Sequence, residues 1–211
     1  ESLRNIPLMC WVASGDEGTT YDMSDAARTK LDTLGLRHVF DYFLAGDHLT
    51  LATNDEWAPA ADFLGEHRVE RDPARVTYVV DPRRDSARAG LIANHAYWIS
   101  DLRLHDASPG NTGMIDARSA AFGIAEAEPL GTVTSFGALQ GGAHGPMAYQ
   151  RSQQDWATVT AEPKADRLVI NATNIAAMTV DVRRARLSCK PALEITSDGP
   201  LEVHLAGCEN R

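Results

Sequence analysis

The stretch from Ile6 to Leu64 constrains the fold most, because its apolar residues change period in a fixed order. Ile6–Ala13 (IPLMCWVA) is a nearly continuous short apolar run, as expected of a strand covered on both faces in a parallel sheet. Ser14–Gly18 (SGDEG) is turn chemistry. Ser24 then reads as the N-cap of a helix through Leu34, with Ala26, Ala27, Leu31 and Leu34 on one face and Gly35 as its stop. Arg37–Leu44 reads as a second strand, Ala45–His48 as a tight loop, and Leu49–Leu64 as helical, broken near Asn54 and Pro59. Strand, acidic loop, helix, strand, histidine loop and helix in succession predict a parallel sheet covered by helices.

The texture changes near residue 68. Arg75–Asp81, Ala96–His105, Met114–Phe122, Arg167–Ala172 and Thr179–Leu187 read as short strands separated by Gly, Pro, Asn and Asp. Gly131–Gly145 reads as a glycine-rich loop without a phosphate-binding pattern. These features predict an all-β sandwich or jelly-roll-like domain over 68–211, after an α/β unit over 1–67. Charge steps at the same place. Residues 1–67 hold 12 acids against 4 bases, and residues 68–211 hold 17 against 16. The net charge of −9 argues against nucleic acid and against an anionic membrane surface as partners. No apolar run is long enough for a membrane span.

The loop residues carry the chemistry. Asp16 directly follows the first predicted strand and His48 the second. Parallel neighbouring strands bring both loops to one edge of the sheet, so a carboxylate there can orient an imidazole. In this light IPLMCWVASGDEGTTYD and YFLAGDHLTLA resemble the strand and triad-acid loop, and the strand and triad-histidine loop, of an α/β-hydrolase. The likeness covers about 60 of the 211 residues. It implies the C-terminal portion of an α/β-hydrolase sheet, with Asp16 and His48 as two members of a Ser-His-Asp triad and no cofactor. The family's nucleophile lies upstream in G-x-S-x-G. Neither Ser14, in A-S-G-D, nor Ser135, in T-S-F-G, has that context.

The resemblance therefore implies a nucleophilic serine supplied by an N-terminal hydrolase segment or a second chain, acting on a neutral or cationic ester or amide. The abrupt start at Glu1, without Met, reads as a cut: either a mature chain released by proteolysis or a truncated sequence. The competing expectation is a non-catalytic binding or structural module with a degenerate hydrolase remnant. Asp47 reads as a loop former, and Trp11 and Trp57 as core residues. His95, His105, His144 and His204 lack metal-ligand spacing.

Cys10 reads as an inert core thiol. Cys189 and Cys208 flank the turn signal Asp198-Gly199, so a hairpin would bring them to one end. Pairing Leu193 with Leu205 in that hairpin leaves the cysteines out of register by one residue, which a bulge near Pro191 or Gly207 would repair. A Cys189–Cys208 bridge predicts an oxidising compartment and a secreted protein.

Overall fold

A computed structural model describes residues 2–208, so Glu1, where the cut is read, lies outside them. In chain order the elements are β1 (Leu8–Ala13), α1 (Tyr21–Thr33), β2 (His38–Phe43), α2 (Thr50–Asn54), α3 (Ala58–Glu66), β3 (Arg75–Val80), β4 (Ile99–Leu104), β5 (Gly113–Ser119), β6 (Pro129–Leu139), β7 (Met147–Trp156), β8 (Arg167–Thr173), β9 (Ile175–Asp181), β10 (Ala192–Ser197) and β11 (Glu202–Ala206). Two compact units result. One comprises 6–69 and 127–158; the other comprises the remaining described residues.

The first unit holds a four-stranded sheet in the order β1-β2-β7-β6. Strands β1 and β2 run parallel, from Leu8 opposite His38 to Ala13 opposite Phe43. On one face Leu8, Cys10, Val12, Phe40 and Tyr42 pack with Leu31, Leu34 and Leu36 of α1 and its exit. On the other, Trp11 and Phe43 pack with Leu51, Leu139, Met147 and Tyr149. Cover on both faces explains why the β1 segment is apolar at nearly every position. Helix α1 is capped by Thr20, whose hydroxyl accepts from the Met23 amide, rather than by Ser24.

The α/β assignment for 1–67, followed by an all-β sandwich or jelly roll over 68–211, is corrected by this architecture. Among the described residues the chain is mostly β, with three mixed sheets and few helices, and lacks the sheet pattern of an α/β-hydrolase. The strands that widen the β1-β2 pair come from residues 129–156 and run antiparallel to β2.

This hairpin is hidden in the sequence because, apart from Leu139 and Met147 beside the turn, its buried positions are polar. Ser152 and Gln154 of β7 are buried, and Gln154 Nε2 donates to Leu36 O at 3.2 Å. Asp41, 1% exposed, faces Arg151 across the β2–β7 ladder. Arg151 grips both its oxygens, Nε to Oδ1 at 2.6 Å and Nη2 to Oδ2 at 2.8 Å. A bidentate pair of this kind selects one register, since a slip of one residue would leave a buried carboxylate unpaired.

In the second unit, sheets β10-β8-β5-β3 and β11-β9-β4 share one core, with Val76, Ile99, Ile115, Leu168, Ile170, Ile175, Met178 and Val180 all buried. The chain passes between sheets at Asn174, the single residue between β8 and β9, in left-handed backbone (φ 53°). Its side chain donates to the carbonyls of Asp106 and Thr112, and its amide donates to Asp198 at 2.9 Å. Asp198-Gly199 makes the matching passage from β10 to β11. These strands lie parallel to β8 and β9 in different sheets, so they do not form the expected hairpin. Leu193 and Leu205 are therefore not cross-strand partners, and the one-residue register conflict does not arise. The two cysteines still reach one end, and Cys189–Cys208 is a disulfide with Cα atoms 5.4 Å apart.

The cross-link closes a loop of sequence separation 19, so replacing both cysteines by serine should lower unfolding free energy by on the order of 3 kcal/mol. Urea titration of the oxidised protein and the double variant measures this. Equal midpoints would show that the bridge adds no stability.

Candidate active site

Two backbone hydrogen bonds join the loops that leave β1 and β2. Ser14 N donates to Phe43 O and Gly15 N to Gly46 O, both at 2.9 Å. A Cβ at position 15 would lie 2.7 Å from the Gly46 carbonyl oxygen, so the loops close this tightly only with glycine there.

Asp16 sits in the first loop as an Asx turn. Its Oδ1 accepts from the amides of Gly18 at 2.8 Å and Thr19 at 2.7 Å. His48, 32 residues later, lies against the same carboxylate, with Nδ1 3.0 Å from Oδ1 and 3.1 Å from Oδ2. The two sequence candidates thus meet. A carboxylate can only accept, so Nδ1 carries the proton and Nε2 is the basic nitrogen of the neutral ring. No described residue hydrogen-bonds to Nε2. The imidazole is 55% exposed, whereas the Asp16 side chain is 14% exposed.

The electrostatics follow from these contacts. The Thr19 amide, with the Gly18 amide and His48, holds the Asp16 carboxyl below its usual range. The Asp16 hydrogen bond and charge, with smaller contributions from Glu17 and Asp47, raise His48 above the ordinary imidazole value. The imidazolium state of His48 therefore favours the folded protein at pH below the unfolded imidazole value. That contribution is lost as pH rises through the higher folded one. Asp16 contributes in the opposite window, above the unfolded carboxylate value, and its contribution is lost as pH falls through the lowered folded one. Chemically, the pair can take a proton at Nε2 and stabilise the resulting cation.

Asp47 is engaged elsewhere. Its Oδ1 accepts from the amides of Leu49 and Thr50 and from the Thr50 hydroxyl at 2.7 Å, which starts α2.

The other end of α2 is held by residues of the glycine-rich segment 131–145. Asn54 is completely buried. Its Oδ1 accepts from His144 N at 2.9 Å, its carbonyl from Ala143 N at 2.8 Å, and its Nδ2 donates to Gly141 O at 3.4 Å. Thr53 Oγ1 donates to Leu49 O, and His144 Nε2 lies 2.8 Å from the same hydroxyl. Gly142, at φ 83°, has no room for a Cβ, which would fall 2.4 Å from Asn54. The turn between β6 and β7 thereby clasps the helix that follows His48. The available signal was a buried-type Asn at the helix break together with the paired Gly141-Gly142, and neither is periodic.

Trp57 is half-exposed rather than a core residue. It stacks on Trp11 at 5.7 Å between centroids, and its Nε1 donates to Asp55 at 2.9 Å. With Pro7, Leu8, Met9, Ala60, Phe63 and Leu64 the two rings line an open apolar cleft of about 360 Å³. Among the described residues no group of His, Cys, Asp or Glu is placed to hold a metal ion.

Asp16→Asn should return the His48 titration toward the ordinary imidazole value. Following the His48 Cε1 proton by NMR across the pH range checks this, and an unchanged midpoint would show that Asp16 does not set the charge of the ring. Compared with known protein families, curated proteins and solved structures, the chain finds no match.

Proposed function

We propose that Asp16 and His48 form the acid and base of a serine hydrolase centre that cleaves an ester or amide through an acyl-enzyme. The nucleophilic serine is supplied by a segment or chain outside this sequence. The reading is carried by one observation: a carboxylate held ionised by two backbone amides sits 3.0 Å from Nδ1 of an imidazole whose opposite nitrogen is open. In this mechanism Nε2 removes the serine proton as the hydroxyl attacks the substrate carbonyl. Asp16 stabilises the imidazolium, and the same proton then goes to the leaving group. Water, deprotonated by His48, releases the acyl group in the second half.

A neutral or cationic substrate fits the local charge. Residues 14–27 and 44–67 include Asp16, Glu17, Asp22, Asp47, Asp55 and Glu56 but neither Lys nor Arg. An anionic substrate would be repelled. An extracellular setting is consistent with the disulfide, and no described helix is long and apolar enough to cross a membrane. The half-exposed Trp11–Trp57 stack and its cleft favour a second reading, a non-catalytic binding module.

Fluorophosphonate labelling of the native preparation separates the two. The hydrolase reading expects a labelled serine whose reactivity falls about a thousandfold or more in His48→Ala. Asp16→Asn should also lose heavily because the ring loses its orienting acceptor, while His95→Ala should keep full reactivity. The absence of any label, or a label indifferent to His48, would overturn it in favour of the binding module.

A further inference from the structure

We propose that β6 is a self-association edge, pairing antiparallel with β6 of a second copy of this chain about a two-fold axis. Among the described residues β6 is the last strand of its sheet, with β7 on one side only. It is 11 residues long and exposed from Pro129 through Phe136. Val133 is 63% and Phe136 75% exposed. A strand in that position presents unpaired backbone donors and acceptors on alternate residues, a template for another strand.

Proteins usually blunt such an edge with lysines, an internal proline or a very short strand. None of these occurs within β6. Its proline is the first residue, and its register irregularity lies between Pro129 and Thr132, leaving Thr132–Leu139 regular. Thr132, Val133, Thr134 and Phe136 are strand-favouring types.

Charge identifies the occupant. The chain carries 49 charged residues and a net charge of −9, yet no Asp, Glu, Lys or Arg occurs from Pro129 through Gln150. In a two-fold pairing the residue on the axis meets its own copy and its neighbours meet residues equally far beyond the axis, so a charge at the axis would face a like charge. A strand cleared of charge in a strongly anionic protein suits contact with itself. It has no charge of its own to offer a partner that recognises by charge; the carboxylate that reaches it, Asp32 on the Thr132 hydroxyl, is paired with Arg28, so two copies approach along it with little mutual repulsion.

Sedimentation velocity over a concentration series, with hydrogen exchange at low and high concentration, tests this on the unmodified protein. The expected result is a closed dimer that grows with concentration, with slower exchange in β6 in the dimer. Thr134 is the central residue of β6, so a pairing centred on the strand places it near the axis. Thr134→Lys and Thr134→Glu should each weaken the dimer roughly tenfold by placing like charges together, and mixing them in equal amounts should restore it. A monomer at every concentration, an open series of higher oligomers, exchange in β6 that ignores concentration, or a dimer untouched by both variants would each overturn the proposal. Hydrogen exchange needs no substitution, so the proposal stays testable if a variant fails to fold.

Discussion

The Asp41–Arg151 ion pair is the contact on which the candidate site depends. It spans 110 residues of sequence and fixes β7 against β2 in one register. With β7 fixed, β6 and the intervening turn are also placed, and that turn reaches Asn54. Helix α2 is held at its start by Asp47 and at its end by the clasp, so the loop carrying His48 is anchored just beyond the residue. An exposed imidazole of this kind has little packing of its own. Its position is set by backbone ties and by elements that do not touch its open nitrogen, Nε2.

Much of the first 67 residues was legible in the sequence. The apolar run at Ile6–Ala13 and the helix ending before Gly35 rest on local signals that the structure keeps, and the loop aspartate and loop histidine meet because β1 and β2 are parallel neighbours. The failure lies in what completes the sheet. Residues 129–156 carry glycines at the turn, and two of the three positions that β7 buries, Ser152 and Gln154, are polar. Period-2 apolar alternation is absent there because Gln154 is satisfied by a hydrogen bond and Arg151 by ion pairing instead of hydrophobic contact. A long-range electrostatic register leaves no trace in a local window. The likeness to an α/β-hydrolase extrapolated a parallel sheet from one parallel pair, and the antiparallel hairpin overrides it.

A different local signal misled the reading of the C-terminal region. Asp198-Gly199 is turn chemistry, yet the arms on either side enter separate sheets. Asn174 makes the same passage one strand pair earlier, and the Asp198 carboxylate accepts its amide hydrogen, so the two corners stack. Turn residues specify a reversal of direction; which strands flank it is decided by the shared core of Ile115, Ile170, Ile175 and Val180. The bridge was predictable all the same, because either arrangement returns Cys189 and Cys208 to one end.

The interrupted order of the first unit has a consequence during synthesis. The acid and histidine loops leave the ribosome before the arginine that registers the sheet and the turn that holds α2, which follow only after residues 70–126 of the other unit. Closing so long a loop costs chain entropy that local contacts cannot offset in advance, so assembly of this unit waits on distant pairing. Until residue 151 emerges, β2 presents an uncompensated aspartate on an open edge, which disfavours premature pairing with a wrong strand. The buried charge thus guards the nascent chain before it stabilises the mature one.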